Sequence, residues 1–260
     1  MSEKATERKI FLRSLALQAC WNEGKMQNLG FLFCLEPRLR RLYVNDAVRY
    51  RDAQARHLGF FNTQPHMAGF VLGVVSRLEE AVCADPTLAA RALRLKGAMG
   101  SAMAAIGDAF FWNTLRPICS AAALICITVG TGVGISVPAA AAVGAALYLT
   151  LFNVPALWVR WNGVRLGFAW GERLAAEMEK WRGPWWIRFL RRTGGVLMTA
   201  VLLFSIVVGV PWFTEALSGA LWVRLVVAAC CVGLQRNRQS PLRQYGLVMT
   251  GAVAAAFFAA

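Results

Sequence analysis

The feature that constrains this chain most is a long stretch without charge near its middle. No Asp, Glu, Lys or Arg occurs between Arg116 and Arg160. A turn that contains Gly134 divides the stretch into two apolar segments, residues 118–137 and 138–159. Each segment has about the 20 apolar residues that a helix needs to cross the hydrocarbon core of a membrane. The pattern predicts an all-α, polytopic membrane protein.

Three further apolar segments follow at residues 194–217, 218–234 and 243–260, which brings the prediction to about five C-terminal transmembrane spans. The second of these three contains Arg224, which needs a partner inside the bundle or a position near a membrane surface. Residues 160–193, between the second and third predicted spans, are rich in Arg and form a basic loop. By the positive-inside rule this loop is cytoplasmic, the N-terminus is cytoplasmic and the C-terminus lies outside.

Residues 1–58 have the pattern of cytoplasmic or interfacial amphipathic helices. Apolar residues recur at helical intervals from Ile10 to Leu42, with charged residues between them, as in a helix that lies on a membrane or packs on a partner. The basic run from Arg38 to Tyr43 is expected to meet anionic lipid headgroups, with Tyr43 at the level of the aromatic belt. A short charged helix is expected over residues 45–58.

Residues 59–117 contain two apolar runs, 65–83 and 97–112, that are shorter than a full membrane span. We interpret them as half-membrane or re-entrant helices covered by other helices, because irregular backbone at membrane depth must be buried in protein or face water. The predicted organisation is therefore an interfacial segment (1–58), a half-membrane segment with polar motifs (59–117) and a transmembrane bundle with its basic loop (118–260).

Composition excludes several classes of function. The chain is 57% hydrophobic and 16% charged, against about 25% charged residues in soluble domains. The basic residues behind the net charge of +14 flank the apolar segments throughout the chain. This distribution indicates the topology of a membrane protein and does not form a nucleic-acid-binding patch. The seven Cys include no CxxC pair and no Cys/His cluster. We therefore expect no disulfide framework, no metal site and no cofactor.

No set of residues in the sequence forms a convincing catalytic site. The two histidines, His57 and His66, are not paired with a Ser or Cys motif, and no nucleotide-binding glycine motif occurs. His57 lies on a charged segment and is expected to be a solvated or hydrogen-bonded structural residue. The chain is expected to carry no catalytic residues of its own.

The strongest candidates for a substrate path are the polar residues of the motif FFNTQP, residues 60–65. Amide and hydroxyl side chains such as those of Asn62, Thr63 and Gln64 both donate and accept hydrogen bonds, as sugar recognition requires. A buried polar lining also rejects ligands that lack matching hydroxyl groups. The alternative is that these residues cap a helix whose first turn contains Pro65.

Three further residues are substrate-path candidates. Glu79 follows an apolar run and could accept sugar hydroxyls, pair with Arg77 or mark the end of a helix in water, and the last of these is favoured. Asp108 and Trp112 belong to the motif GDAFFW, residues 107–112, where small residues allow a tight turn. An ionised Asp108 there requires partners such as backbone N–H groups or Arg116.

The two polar motifs, together with residues 11–31 (FLRS followed by WNEGKMQNLGF), resemble the IID component of the mannose family of phosphotransferase sugar transporters. The resemblance covers residues 8–117 closely and the remainder only in hydropathy. Ala109 stands where the family usually has Pro, and Ser101 and Ala102 stand where relatives tend to have Gly-Pro.

The resemblance implies a membrane subunit of a sugar permease in the bacterial inner membrane. Such a subunit would form the uptake path for a mannose-type hexose or amino sugar with a IIC subunit, within a hetero-oligomer that is a trimer of IIC–IID pairs. The cytoplasmic IIB (IIAB) protein would phosphorylate the sugar, so this chain would bind sugar, lipid and protein partners but transfer no phosphoryl group. The alternative, motivated by Ala109 and Ser101, is a diverged membrane scaffold or sensor that does not transport.

Overall fold

The computed structural model describes residues 2–180, 185, 188–190, 192 and 194, and within these residues the secondary structure is helical apart from two isolated β-bridges. The α-helices are α1 (Glu3–Ser14), α2 (Asn28–Leu42), α3 (Ala47–His57), α4 (Ala68–Ala84), α5 (Ala89–Gly107), α6 (Arg116–Gly132), α7 (Val137–Trp170) and α8 (Leu174–Lys180). A π-helix at Asp108–Leu115 and 3₁₀ turns at Pro86–Leu88 and Gly171–Arg173 connect some of them. The predicted spans 194–217, 218–234 and 243–260, with Arg224, lie outside the described residues apart from residue 194.

The N-terminal amphipathic pattern forms two helices and not one. Helices α1 and α2 are separated by residues 15–27, where the backbone N–H groups of Asn22 and Met26 each bond to the other residue's carbonyl, at 3.1 and 2.8 Å. Met26 has a φ of 56°, in the left-handed region that few residues other than glycine adopt. The apolar periodicity continues on both sides of this turn, which is why the sequence alone suggested a continuous helix.

The helix that contains the predicted half-membrane run 97–112 is much longer than the run itself. It continues without a break from Pro86 to Gly132, through the π-helix. The tight turn expected at Asp108 is therefore wrong. Pro117 has no N–H to donate to the preceding turn. The helix accommodates this with a wider turn, in which the N–H of Arg116 bonds to the carbonyl of Phe111, five residues back.

Helices α6 and α7 form an antiparallel hairpin, and residues 116–159 are called the apolar hairpin below. Its turn contains Gly134 with a φ of 89° and lies where the sequence predicted one. Helix α7, however, extends to Trp170, eleven residues beyond the predicted end at residue 159. Large apolar side chains of the hairpin are exposed, among them Val133 at 73% and Val154 at 61%. The two helices Pro86–Gly132 and Val137–Lys180 are long and apolar enough to cross a membrane.

The remaining helices form a compact unit, called the head below, from residues 2–115 and 160–180. Helix α4 lies at its centre, contacts α1, α2, α5 and α7, and buries twelve of its seventeen residues. The core around it contains fully buried apolar side chains from several helices: Phe31, Cys34, Leu35, Leu39, Ala53, Val71, Leu72, Val74, Val75, Phe111 and Leu174. Helices of the same chain thus cover the apolar run 65–83, and its entry into the bilayer stays a prediction.

Four glycines allow α4 and α7 to pack with their backbones in contact. Gly69 and Gly73 lie four residues apart on α4, and Gly163 and Gly167 have the same spacing on α7. A Cβ atom on Gly69 would lie 2.4 Å from the carbonyl oxygen of Arg160, and one on Gly73 would lie 2.3 Å from that of Val164. Neither position leaves room for a methyl group, so the interhelical distance requires glycine.

We predict that Gly73→Ala destabilises the protein, because the added methyl group overlaps backbone atoms of α7 that cannot rotate away. Overpacking of this kind costs about 1–3 kcal/mol. Gly97→Ala on α5 is the matched control, since a Cβ atom added there would meet nothing within 4 Å, and the higher helix propensity of Ala should stabilise it slightly. Thermal unfolding of both variants in detergent checks this, and equal melting temperatures would contradict it.

Candidate functional site

The motif at residues 60–65 is anchored by a reciprocal pair of hydrogen bonds to the start of α2. The side-chain amide of Gln27 donates to the carbonyl of Thr63 at 2.9 Å and accepts from the N–H of Thr63 at 3.1 Å. The Thr63 hydroxyl donates to the carbonyl of Gly100 on α5 at 2.9 Å. Gln27 and Thr63 are both buried. Thr63 therefore connects α2, the 60–65 segment and α5.

Asparagine side chains extend the same connection. Asn28 donates to the carbonyl of Leu58 at 2.8 Å and accepts from the amide of Asn22 at 3.0 Å. The N–H of Gln27 also bonds to the carbonyl of Phe61 at 2.8 Å. Two of the sequence motifs, residues 21–31 and 60–65, are thus held together by side-chain and backbone hydrogen bonds.

Gln64 caps the turn that leads into α4. Its side-chain carbonyl accepts from the N–H groups of His66, at 2.7 Å, and Met67, at 3.1 Å. The sequence alternative, a cap on a helix whose first turn contains Pro65, is wrong in its position, because α4 begins only at Ala68 and its N-cap residue Met67 has no side-chain cap bond. The amide nitrogen of Gln64, in contrast, is buried and has no hydrogen-bond partner among the described residues. A buried donor without an acceptor costs about 1–3 kcal/mol, so Gln64 is a place where a ligand could supply the missing acceptor.

The third motif packs directly on Gln64 through a glycine. A Cβ atom on Gly107 would lie 2.6 Å from Cβ of Gln64 and 2.7 Å from Cγ of Met67. All three motifs therefore meet around Gln64. The polar residues next to these contacts face outward: Asn62 and Asp108 are exposed, and Trp112 is 39% exposed.

Glu79 lies in a separate, buried cluster at the other end of α4. The structure overturns the expectation of a solvated helix end, since the Glu79 side chain is fully buried. Its carboxylate accepts hydrogen bonds from Arg56 at 2.9 Å, from the Tyr43 hydroxyl at 3.0 Å and from His57 at 3.0 Å. These donors connect α2 and α3 to α4. Glu80, in contrast, pairs with Arg77 at 2.6 Å.

The charges in this cluster are fixed by their partners. Burial alone would raise the pKa of Glu79, but hydrogen bonds from His57 and Arg56 and the Arg56 charge hold that pKa below its usual range. Burial lowers the pKa of His57, and its bond to Glu79 offsets this only in part. Nδ1 of His57 has no partner within the part of the chain that the structure describes, and Lys96 donates to the His57 carbonyl at 3.1 Å. His57 is therefore neutral and donates from Nε2, a structural role as the sequence indicated.

Arg38 and Tyr43 do not reach lipid headgroups as predicted. Arg38 is 1% exposed and donates to Glu3 at 2.6 Å, to the Ser76 carbonyl at 3.3 Å and to Glu80. Tyr43 is 5% exposed because its hydroxyl bonds to Glu79. The correction has a simple cause: the acidic partners are distant in sequence, so the local run of Arg gave no sign of them.

His66 and Arg160 form a polar contact that the sequence patterns did not predict. Arg160, where the uncharged stretch ends, is 6% exposed and donates to Nδ1 of His66 at 3.2 Å and to the carbonyl of Ser14 at 2.5 Å. The His66 ring lies 4.7 Å from the Phe111 ring and 5.6 Å from the Phe152 ring, centroid to centroid. The sequence did mark Arg160 in one way, because the charge-free stretch ends at this residue.

The structure thus brings together only some of the predicted site residues. Thr63, Gln64 and the Gly107 motif meet, Trp112 lies beside His66 at a ring-centroid distance of 6.1 Å, and Glu79 belongs to the structural cluster. The described residues contain no group of three His, Cys, Asp or Glu side chains placed to hold a metal ion. Amide, imidazole and aromatic groups of this kind can bind a neutral polyhydroxylated ligand.

We predict that Glu79→Gln strongly destabilises the protein, because it removes the charge that neutralises the largely buried Arg56. Breaking a buried ion pair from one side costs about 3–5 kcal/mol. Glu172→Gln breaks the exposed pair between Glu172 and Arg91 and serves as the control, with an expected loss below about 1 kcal/mol. Thermal unfolding of the two variants tests this. Similar losses of stability in both would show that the buried cluster stabilises the protein no more than an exposed ion pair does.

Stability should also fall as pH decreases from 7 to 5. Burial lowers the pKa of His57, and its hydrogen bond to Glu79 offsets this only in part. The unfolded chain therefore takes up a proton below about pH 6.5 that the folded protein does not, which favours unfolding at lower pH. His57→Gln should flatten the melting temperature as a function of pH over this interval. An unchanged pH dependence in this variant would contradict the assignment.

A family model described as the mannose/fructose/sorbose family IID component of the phosphotransferase system matches residues 2–207. The mannose-specific EIID component of Escherichia coli (strain K12) is 36% identical over 172 residues, which is 66% of this chain and 57% of that protein. The sorbose-specific EIID component of Klebsiella pneumoniae is 33% identical over 170 residues, 65% of this chain and 58% of that protein. The matched region spans little more than half the length of these relatives.

Solved structures extend the similarity over nearly the whole chain. A cryo-EM structure of the mannose transporter ManYZ in complex with microcin E492 contains a chain that is 26% identical, with a TM-score of 0.57 over 98% of this chain and 97% of that one. Another solved chain, described only as a membrane protein, is 27% identical, with a TM-score of 0.67 over 97% of this chain and 96% of that one.

Proposed function

Because this chain belongs to the mannose/fructose/sorbose family of phosphotransferase IID components, we propose that it is the IID-type membrane subunit of a sugar permease. It forms the uptake path for a mannose-type hexose or an amino sugar together with a IIC subunit, in a hetero-oligomer of IIC–IID pairs. Cytoplasmic IIB phosphorylates the sugar at the expense of phosphoenolpyruvate. The chain itself transfers no phosphoryl group.

In this proposal the chain resides in the bacterial inner membrane with its N-terminus in the cytoplasm and its C-terminus outside. The apolar hairpin crosses the bilayer, since its exposed Val and Leu side chains suit lipid or an apolar partner. The basic residues that follow the hairpin, such as Arg165 and Arg173, are then cytoplasmic.

The observation that supports the proposal most is the meeting of the three motifs around Gln64, next to the base of the apolar hairpin. We propose that Gln64, with Asn62, Thr63, Asp108 and Trp112 around it, lies at the substrate path. The buried amide of Gln64 has no acceptor in the described part of the chain, and a sugar hydroxyl could provide one when the site opens. Glu79 is excluded from this set, since its carboxylate already has three donors.

A second candidate function is a membrane scaffold or sensor that does not transport. Ala109 and Ser101, which stand at positions where the family pattern has other residues, favour it. Deleting the chain's gene separates the two candidates. Loss of phosphoenolpyruvate-dependent hexose uptake, restored by the gene in trans, supports transport, whereas unchanged uptake supports the scaffold.

We predict that Gln64→Leu impairs uptake at low sugar concentration. Leu keeps a similar bulk but removes the hydrogen bonds, and an unpaired buried sugar hydroxyl costs about 1–3 kcal/mol, or roughly tenfold to hundredfold in apparent affinity. Since Leu also removes the cap of the turn before α4, uptake is normalised to the amount of complex assembled in the membrane.

Asp108→Asn tests the third motif with shape preserved and charge removed. If Asp108 belongs to the moving part of the path, the variant complex assembles normally and transports slowly. If Asp108 only stabilises local structure, uptake falls in proportion to assembly. Normal assembly with normal uptake for both Gln64→Leu and Asp108→Asn would remove these residues from the proposed path.

A further inference from the structure

An aromatic surface lies where the head meets the apolar hairpin. The ring of Trp112 is stacked with that of Phe152 at a centroid distance of 6.1 Å and an angle of 17°, and Phe152 is stacked with Tyr148 at 6.1 Å and 5°. Trp112 comes from the π-helix and the other two from α7, four residues apart on one helix face. We call Trp112, Tyr148 and Phe152 the aromatic shelf.

The position of the aromatic shelf along α7 determines how deep in the membrane it lies. Phe152 is fifteen residues after the first residue of α7, Val137, or about 22 Å along the helix axis. The hydrocarbon core of a membrane is about 30 Å thick. If the hairpin turn lies at the outer surface, as proposed above, the shelf lies in the inner part of the bilayer, next to the motifs around Gln64.

A hydrogen-bond donor lies at the edge of this shelf. The guanidinium of Arg160 can only donate, so Nδ1 of His66 is the acceptor in their 3.2 Å contact. In the neutral ring the proton is then on Nε2. A proton on Nδ1 would set two donors and two positive charges against each other at this contact, so the ring is neutral.

The Nε2–H group of His66 has no hydrogen-bond acceptor among the residues that the structure describes. Its ring is surrounded by the rings of Phe111, Trp112 and Phe152, which offer no strong acceptor. His66 is also joined to Gln64, whose side-chain carbonyl bonds to its N–H at 2.7 Å. Within the described residues, the Gln64 amide is a buried donor without an acceptor, and the His66 Nε2–H group lies near it beside the exposed Trp112 and the half-buried Tyr148 and Phe152.

We propose that His66 and the aromatic shelf form a sugar-binding subsite, in which a pyranose ring stacks its C–H face on Trp112 and Phe152 while a hydroxyl oxygen accepts from His66 Nε2. This rests on the proposed function and extends it to residues that the sequence patterns did not select. A hexose suits the site because one face of its ring is apolar and its edge carries hydroxyl groups. The Arg116 guanidinium lies 5.8 Å from the centroid of the Trp112 ring, so a charged donor stands beside the subsite.

The chain offers a selective chemical probe of this subsite. It has two histidines, and His57 is fully buried, so diethyl pyrocarbonate should modify only His66. Membranes that contain the full chain assembled with its partner subunit are treated with the reagent, and the peptide with His66 is followed by mass spectrometry. D-Mannose at ten times its KM should slow modification about tenfold, in line with fractional occupancy. Sorbitol, which has hydroxyl groups but no ring, should not protect.

Kinetics of uptake provide an independent measurement. His66→Phe keeps a ring in place but removes the donor, so KM should rise about tenfold while kcat changes little. His66→Gln, which retains an N–H donor at similar reach, should recover part of the affinity. Phe152→Leu removes a shelf ring and should also raise KM, whereas Phe110→Leu, in the same π-helix as Trp112 but not in the shelf, is the control.

The outcomes separate this subsite from the proposed function. If the wild-type complex takes up no hexose, the proposed function fails and the subsite fails with it. If the wild type transports but D-mannose does not protect His66 and His66→Phe keeps its KM, only the subsite is wrong. If His66 resists the reagent before any sugar is added, the KM of His66→Phe decides, and an unchanged KM shows that the subsite is wrong.

Discussion

The backbone contact between α4 and α7 is the interaction on which the other parts of the head depend. Gly69 and Gly73 bring α4 against the backbone of α7 near Arg160 and Val164. This contact fixes the turn before α4, which contains Gln64 and His66, relative to the long helix that carries Arg160 and Phe152. Because dispersion contacts act at short range, even one added methyl group changes this geometry. The position of the polar motifs is therefore set by glycines that carry no functional group.

Charge is distributed in opposite ways in the two parts of the molecule. The head buries Glu79, Arg38 and Lys96, each with hydrogen-bond partners from other helices. The apolar hairpin has no charged residue between Arg116 and Arg160 and exposes its large apolar side chains. Buried ions without partners would destabilise the head, and exposed ions would keep the hairpin out of a bilayer. The site around Gln64 lies at the boundary between these two environments.

Periodicity and the charge-free stretch were sufficient to predict an all-α membrane protein and the turn at Gly134. They could not predict that the chain remains helical through Asp108, because accommodation of Pro117 by a π-helix depends on local backbone geometry. The resemblance of three motifs identified the family, but not why the motifs occur. The motifs occur because Gln27 contacts Thr63 and Gly107 contacts Gln64. The two residues of each pair are far apart in sequence. The contact of His66 with Arg160 was missed for the same reason, because the two residues are far apart in sequence.

The motifs around Gln64 are proposed to form one side of a sugar path. A structure of the full chain in its membrane complex with bound D-mannose would test this most directly. We expect a sugar ring over Trp112, with its hydroxyl groups about 3 Å from the side-chain nitrogens of Gln64 or His66. A sugar bound in the complex without contact to any of these three residues would contradict it.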